Sequence, residues 1–276
     1  MKVNKAILPV AGLGTRVMPL TLHQPKAMIG IVDRPMIHYV IDEMLVAGIN
    51  DITIVANPRQ SEFKKYLEFL KKDPAWNKVK FNLAIQQKPM GNGDAILAAE
   101  KLLNDEPFIV AFSDDLMRHK ENEQPLMMTL VRLFAKFQAP LLVLETVPKK
   151  HLSRYGVVKV KKIKAQRNLY QILDIIEKPS PKEAPSNLAV VGRYILTPQI
   201  IACIKKLYPP KEGTEVLLAE ALRLYLRDGG KLYGLQFKGH RFDCGSKLGL
   251  LQAQAYFGLH HKELGKEFRK YLKKLK

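Results

Sequence analysis

The first half of the chain alternates short apolar runs with segments of helical periodicity, and this alternation restricts the fold more than any other feature. The apolar runs of strand length are residues 6–10, 52–55, 81–85 and 108–112. The segments between them with apolar residues three and four apart are residues 35–47, 61–70 and 94–103. Strands and helices that alternate in this way form parallel sheets with helices on both faces. We therefore expect an α/β fold with a mainly parallel, Rossmann-like sheet.

The second half has a different texture, with several strands and few helices between them. After a helix over residues 125–137, strands are predicted at residues 141–147, 156–160, 169–176 and 188–196. This pattern predicts a smaller, mixed β region laid against the first half. Helices return at residues 197–207, 215–227 and 248–257, around a strand over residues 231–237. The sequence contains no internal repeat and no low-complexity linker, so we expect one domain over residues 1–276. Its two halves would span about 1–147 and 148–245, and C-terminal helices would follow from about residue 246.

Length and composition exclude several classes of protein. A chain of 276 residues with 47% hydrophobic content can bury a large core. No apolar segment approaches the roughly 18 to 20 residues that span a bilayer, and the N-terminus lacks a signal-peptide pattern, so we expect a cytoplasmic protein without membrane contact. Cys203 and Cys244 lie far apart without a CxxC or Cys/His pair, which argues against a disulfide or a zinc site.

The formal charge of +19 predicts an anionic partner of some kind. Part of this charge lies in the C-terminal segment KELGKEFRKYLKKLK, where an apolar helical stripe consists of Leu264, Phe268, Tyr271, Leu272 and Leu275. The stripe favours a docking or subunit-interface helix in a homo-oligomer, and a contact with nucleic acid or lipid is the alternative. No helix-turn-helix or RNA-recognition signature is present, so we expect no nucleic-acid partner.

A glycine-containing loop follows the first predicted strand, in the stretch LPVAGLGTRVMPLTLHQPKAM. It lacks the third glycine of the dinucleotide fingerprint, which is Val17 here, and it lacks the Walker pattern. What remains is a turn at Gly12 and Gly14 whose backbone N–H groups can approach an anion. Arg16 and Lys26 could meet separate phosphates.

An ordered series of motifs makes this loop more informative. The opening loop is followed by VDRPMIHYVIDEM, GNGDAIL, SDDL, YGVVKV, IEKP, APSNLAVVGRYILTP and KGHRFDCGSKLG. The series, from about residue 5 to residue 268, resembles the sugar-phosphate nucleotidyltransferases, in particular those that use UTP and glucose 1-phosphate. The resemblance implies the nucleotidyltransferase fold, with a sugar-binding β region. It also implies a reaction that yields UDP-glucose and pyrophosphate.

The resemblance implies that the opening loop holds the triphosphate. Ala11, Gly12 and Gly14 would contact the nucleotide, while Arg16 meets the departing β- and γ-phosphates and Lys26 neutralises charge near the α-phosphate. The nucleophile is a phosphate monoester whose second pKa is near ~6, so it is already anionic at neutral pH. A general base is therefore unnecessary, and the protein must instead bring two polyanions together.

Two aspartates match the positions that share Mg²⁺ in this family, namely Asp114 and Asp243. Asp114 follows the predicted strand FIVAF, where a carboxylate can hold Mg²⁺ against phosphate oxygens. The alternative for Asp114 is a helix cap or turn residue, since SDD is ordinary turn chemistry. The adjacent Asp115 is not expected to bind the metal, because the family pattern varies there.

The resemblance assigns the base to Gln86, which stands five residues before Gly91 and would read the uracil edge by hydrogen bonds. Gln87 is a possible substitute. Discrimination of uracil from thymine rests on one methyl group, worth only about 1 to 3 kcal/mol.

The positions that match the sugar-phosphate side are Tyr155, Gly156, Glu177, Lys178 and Gly192. Glu177 would accept hydrogen bonds from sugar hydroxyls, Lys178 would pair with the 1-phosphate, and Gly156 would let the backbone approach the sugar. The alternative for the tripeptide EKP is a surface turn with an ion pair.

Three departures from the family pattern leave the substrate open. The family has a glutamate after Pro-Lys, and this chain has Ala27. The family's Gly-Leu-Gly-His-Ala corresponds to residues 91–95, where Asp94 stands in place of the histidine. Leu217 stands in place of a glutamine. The alternatives are the same chemistry with another sugar 1-phosphate or with dTTP, or a weakly active paralogue that regulates a true uridylyltransferase.

Overall fold

The computed structural model describes residues 1–164 and 166–275. The strands in these ranges are β1 (Lys5–Pro9), β2 (Gly30–Ile31), β3 (Arg34–Pro35), β4 (Asp51–Ala56), β5 (Lys80–Ile85), β6 (Phe108–Ala111), β7 (Asp115–Arg118), β8 (Leu141–Thr146), β9 (Gly156–Lys162), β10 (Leu169–Glu177), β11 (Leu188–Leu196), β12 (Leu232–Gln236) and β13 (His240–Asp243). The α-helices are α1 (Met36–Val46), α2 (Glu62–Lys72), α3 (Asn92–Ala98), α4 (Glu100–Leu103), α5 (Leu126–Phe137), α6 (Pro198–Lys206), α7 (Leu218–Arg227), α8 (Lys247–Leu259) and α9 (Gly265–Lys274).

The first half forms the parallel sheet that the alternating pattern predicts. Its strands lie in the order β5, β4, β1, β6, and every neighbouring pair is parallel. The central strands are mostly apolar because helices cover both faces, and β6 is apolar and buried at all four positions. The α/β fold is confirmed, and the carboxyl ends of these four strands lie at one edge of the sheet.

The β region of the second half continues this sheet. It was expected as a layer against the first half, but β11 pairs antiparallel with both β6 and β8. The sheet then runs through β12 and β10 to β9. A single pairing of Val157 with Ala189 brings β9 back to β11. The two halves are therefore joined by backbone hydrogen bonds through β11.

Two predicted helices differ from the structure by more than one or two terminal residues. The segment 94–103 consists of α3 and α4, which are separated at Ala99. The helix expected from residue 215 begins at Leu218, because Val216 makes one backbone hydrogen bond with the loop before α3 and one with the first turn of α3. The Val216 N–H donates to the Met90 carbonyl at 2.8 Å, and the Gly93 N–H donates to the Val216 carbonyl at 2.8 Å.

A two-stranded ribbon, β7 with β13, was absent from the sequence-based prediction. The two strands are antiparallel, with Asp115 opposite Asp243 and Leu116 opposite Phe242. Each has only four residues and carries charged side chains, so neither has the apolar run that predicts a strand. This ribbon joins a segment from the middle of the chain to one near its end.

The C-terminal helix α9 packs on α8 through part of its apolar stripe. A Cβ atom at Gly258 would lie 3.0 Å from the Phe268 ring. Leu264, Tyr271 and Leu275 remain 50%, 56% and 64% exposed. No helix in the described residues is long and apolar enough to cross a membrane.

Candidate functional site

The candidate site lies at the edge where the parallel strands end. The loop after β1 carries the glycine turn, Gln86 follows β5, and Asp114 follows β6. Because parallel strands deliver their carboxyl ends to the same edge, loops distant in sequence meet here. This is the position at which α/β sheets generally bind ligands.

The opening loop is held by short turns and by side chains from the loop between β4 and α2. Gly14 has φ +65°, and a Cβ atom there would lie 2.8 Å from Thr21. The Asn57 side-chain amide donates to the Ala11 carbonyl at 2.8 Å, which orients the start of the loop. At Gly12 a Cβ atom would contact nothing among the described residues within 4 Å. Space beside this backbone is therefore open to a ligand.

Lys26 and Arg16 bring positive charge to Asp114. The Lys26 ammonium forms an ion pair with Asp114 at 2.5 Å. Burial alone would raise the pKa of Asp114, but the charge and hydrogen bond of Lys26, with a further contribution from Arg16, hold it below the usual value. Asp114 is therefore a carboxylate at neutral pH.

Asp114 and Asp243 converge on Gly245. A Cβ atom at Gly245 would lie 2.9 Å from Asp243 Oδ1, 3.0 Å from Asp114 Oδ2 and 2.7 Å from Arg16 Nη2. The Cys244 N–H donates to the Asp114 carbonyl at 2.8 Å, which fixes the ribbon end beside the loop after β6. The structure thus brings together three of the predicted residues around one glycine.

The chemistry of this pair fits a divalent cation such as Mg²⁺. Mg²⁺ prefers oxygen ligands at about 2.1 Å and is commonly held by one or two carboxylates together with substrate phosphates. No group of three or more His, Cys, Asp or Glu side chains within residues 1–164 and 166–275 has metal-site geometry. The pair alone would therefore leave most coordination positions for phosphate and water oxygens.

Asp115 makes structural contacts instead. Its Oδ2 accepts the Gly192 N–H at 2.8 Å, and it forms an ion pair with Arg241. Burial, together with the charge of Asp114, raises the pKa of Asp115 against the lowering effect of Arg241. A Cβ atom at Gly192 would lie 2.6 Å from the Asp115 side chain. The contact with Asp115 accounts for the glycine at 192, which was predicted on the sugar-phosphate side.

Gln86 and Gly91 are joined by a hydrogen bond. Gln86 is 5% exposed, and its Nε2 donates to the Gly91 carbonyl at 3.0 Å. Gly91 has φ +105°, and a Cβ atom there would lie 2.5 Å from the Val216 carbonyl oxygen. Ile85, Gln86 and Gln87 line a cavity of about 580 Å³.

The four other residues predicted for the sugar side lie together where β9 begins and β10 ends. Gly156 pairs with Glu177, and a Cβ atom at Gly156 would lie 3.1 Å from Glu177 Oε2. The Lys178 N–H donates to the Tyr155 carbonyl at 3.0 Å. Lys178 adopts φ +47°, a conformation that is uncommon for a residue with a side chain.

The charges on this side are only loosely paired. Lys178 Nζ lies 3.9 Å from Glu177 Oε1, and the lysine side chain is 62% exposed. Burial, with the charge of Glu220, raises the pKa of Glu177, and Lys178 lowers it. No ion pair in the described residues joins Lys178 to Asp114 or Asp243.

Arg154 was not among the predicted site residues. Its guanidinium donates to Asp243 Oδ2 at 3.0 Å, so each of the two aspartates has a basic partner. The sequence signal that could have identified Arg154 was its place directly before Tyr155 and Gly156, which were predicted to bind the sugar phosphate. Its contact with Asp243, however, depends on the ribbon, which the sequence did not predict.

Comparisons with known proteins agree with this geometry. The nucleotidyl transferase family model matches residues 5–258. A UTP-glucose-1-phosphate uridylyltransferase 2 of Streptococcus pyogenes serotype M3 is 33% identical over 98% of this chain and 95% of its own length. A UDP-glucose pyrophosphorylase complexed with UDP-glucose superposes with a TM-score of 0.82 at 34% identity, over 92% of this chain and 98% of its own. A UTP-bound relative from Acinetobacter baumannii has a TM-score of 0.85 at 33% identity, over 99% of this chain and 100% of its own. The chain therefore belongs to the nucleotidyl transferase family.

Proposed function

We propose that the chain transfers a uridylyl group from UTP to glucose 1-phosphate, giving UDP-glucose and pyrophosphate. The observation that carries the proposal is the convergence of Asp114, Asp243 and Arg16 around Gly245, with Lys26 paired to Asp114. Two carboxylates and two cations at the carboxyl edge of a parallel sheet suit a reaction between phosphorylated substrates. The names of the relatives support UTP and UDP-glucose as the nucleotides.

The reaction forms one bond and breaks one. An oxygen of the sugar 1-phosphate attacks the α-phosphorus of UTP, and the bond from that phosphorus to the bridging oxygen breaks. The electron pair leaves with pyrophosphate. The nucleophile is already anionic, because the second pKa of a phosphate monoester is about 6. No residue is therefore assigned the role of general base.

The main task of the protein is to bring two polyanions into line. The backbone at Gly12 and Gly14 would lie along the triphosphate, because the space beside Gly12 is open and the backbone N–H groups of such a turn can contact phosphate oxygens. Arg16 would stabilise charge on the departing pyrophosphate, and Lys26 would neutralise the α-phosphate. The Lys26 ammonium has three N–H donors, so it can contact a phosphate oxygen while it remains paired with Asp114.

Asp114 and Asp243 would hold Mg²⁺. When bound, this ion supplies Lewis-acid stabilisation of phosphate oxygens. Arg154 would release Asp243 or share it, and it would then remain beside the incoming phosphate as a further cation. The low pKa of Asp114 keeps this ligand ionised over the whole neutral range.

On the acceptor side, Glu177 would accept hydrogen bonds from sugar hydroxyls and Lys178 would pair with the 1-phosphate. The lysine ammonium is largely free, since its distance from Glu177 is 3.9 Å. Tyr155 and Gly156 would form the wall beside the sugar.

Of the departures from the family pattern, Ala27 has a packing explanation. Its side chain is 2% exposed within the apolar core, while the neighbouring Lys26 keeps its ion pair with Asp114. The loss of a carboxylate here thus leaves the phosphate-binding cation in position. This observation favours an enzyme over a purely regulatory paralogue.

Pyrophosphate release tests the proposal directly. UTP, dTTP, CTP and ATP are each combined with several sugar 1-phosphates, with and without Mg²⁺. We expect turnover to be greatest with UTP, glucose 1-phosphate and Mg²⁺. Faster turnover with dTTP or another sugar phosphate would reassign the substrate, and no turnover in any combination would refute the proposed chemistry.

A further inference from the structure

The Gln86 side-chain amide is held in one orientation by two hydrogen-bond acceptors. Its Nε2 lies 3.0 Å from the Gly91 carbonyl oxygen and 2.7 Å from Asp94 Oδ2. A carbonyl oxygen and a carboxylate oxygen can only accept, so the side-chain NH2 group must face them. With the amide reversed, Gln86 Oε1 would face two acceptors without a proton between them.

This arrangement leaves Gln86 Oε1 as the free atom of the amide. Within the described residues, Gln86 Oε1 accepts no hydrogen bond. It is also not fully enclosed by protein atoms, so a ligand can reach it. Gln86 therefore offers a ligand an acceptor and no donor, because both N–H bonds of Nε2 are used.

Asp94 is itself fixed on both of its carboxylate oxygens. Oδ2 receives the Gln86 amide, and Oδ1 receives the Tyr208 hydroxyl at 2.8 Å. Asp94 lies in the first turn of α3, where the helix dipole favours a negative charge. The resulting chain of contacts runs from Tyr208 through Asp94 to Gln86 along one wall of the 580 Å³ cavity.

We propose that Asp94 is a specificity-determining residue, which restricts the site to bases with an N–H at the edge that faces Gln86. The inference rests on the proposed role of Gln86 as the residue that reads the base. Uracil and thymine carry an N3–H that can donate to Gln86 Oε1. Cytosine carries an unprotonated N3, so an acceptor facing it leaves two lone pairs opposed.

Without Asp94 the amide could turn over. Its NH2 group would then face the base and donate to N3 of cytosine, at the cost of one contact with the Gly91 carbonyl. Asp94 therefore acts through Gln86 as a positioning residue, and the effect is on the choice of base rather than on the reacting atoms. The family pattern noted above has a histidine at this position, so the carboxylate is a feature of this chain.

Equilibrium binding of UTP and of CTP to the full chain tests the inference, by calorimetry with Mg²⁺ present. For the unaltered protein we expect Kd for CTP to exceed Kd for UTP by at least about tenfold. Asp94→Ala is expected to reduce this ratio at least about fivefold. Asp94→Asn is the matched control, because its Oδ1 can still accept from Gln86 and its Nδ2 can donate to Tyr208, so the ratio should stay within about twofold.

A second variant covers the case in which Asp94→Ala does not fold. Tyr208→Phe removes only a hydroxyl from a side chain that is 41% exposed, and it frees Asp94 Oδ1. We expect the CTP to UTP ratio to fall at least about twofold. An unchanged ratio in a folded Asp94→Ala or in Tyr208→Phe would overturn the inference.

The two proposals fail separately. If the protein binds UTP more tightly than CTP, and if the ratio of the two Kd values depends on Asp94, the inference is supported even when no pyrophosphate is released. Turnover with UTP and glucose 1-phosphate, together with an Asp94→Ala ratio equal to that of the unaltered protein, supports the proposed function and refutes the inference.

Discussion

Replacing Gly245 by alanine probes the convergence of Asp114, Asp243 and Arg16 without removing any charged group. The added Cβ would lie 2.7 to 3.0 Å from one terminal atom of each, whereas ordinary van der Waals contact begins at 3.4 Å. Each group must therefore retreat by several tenths of an ångström. A displacement of 1 Å can cost about 100-fold in rate. We expect Gly245→Ala to lower kcat/KM at least about tenfold, which corresponds to about 1.4 kcal/mol of transition-state stabilisation.

Stability should change little, because Gly245 does not need a positive φ and the atoms that must move are side-chain ends. We expect the melting temperature to stay within about 3 °C, equivalent to roughly 1 kcal/mol for a chain of this size. Pyrophosphate release as a function of Mg²⁺ is the assay, and the half-saturating Mg²⁺ concentration should rise. Gly30→Ala is the matched control, since a Cβ atom there has open space. A Gly245→Ala rate within threefold of the unaltered protein would refute the reasoning.

Three further predictions concern single groups and one surface. Asp114→Asn and Lys178→Ala should each lower kcat/KM in the pyrophosphate assay at least about tenfold, roughly 1.4 kcal/mol, in a chain that still folds. Asp114→Asn should also lower the melting temperature at pH 7, because the lowered pKa of Asp114 means that its ionised form stabilises the folded state. Glu177→Gln should raise the free energy of unfolding at pH 7, measured by denaturant titration. Burial raises the pKa of Glu177, so its ionised form destabilises the folded state above the folded pKa, and the gain should vanish below the unfolded value of about 4.3. The homo-oligomer stays a prediction: if the exposed stripe at α9 is its interface, Leu264→Glu combined with Tyr271→Glu should give monomers in light scattering.

Each of these predictions can fail on its own. A nearly unaltered rate in Asp114→Asn or Lys178→Ala would remove the role proposed for that residue. A stabilisation by Glu177→Gln that is the same at pH 7 and about pH 4 would show that ionisation is not its cause. An unaltered protein that is already monomeric would contradict the oligomer.

The strands of the parallel sheet were predictable because their signal is local. β1, β4, β5 and β6 are each a short apolar run, and each lies within one residue of its predicted bounds. Burial on both faces of the sheet demands such runs in β1, β4 and β6. β5 lies at the edge of the sheet, and half of its residues are exposed. The β7–β13 ribbon carries no such signal, since each strand is four residues long and partly polar.

The candidate site divides in the same way. Gly12, Gly14 and Lys26 lie in one loop, so their association was readable from spacing and family likeness. The ion pair of Arg154 with Asp243 joins segments that no short pattern connects. The same holds for Tyr208, whose hydroxyl reaches Asp94 from the end of α6.

The sequence by itself determined the alternation of strands and helices, the glycine turn after the first strand and the family. These properties depend on the conformation and burial of residues that are consecutive in the chain, and the pattern of side chains controls both directly. Only the tertiary structure decided that the second half extends the same sheet, that Asp243 meets Asp114, and that Asp94 restrains Gln86. Such contacts depend on how completed elements pack against one another, and the packing involves surfaces contributed by the whole chain.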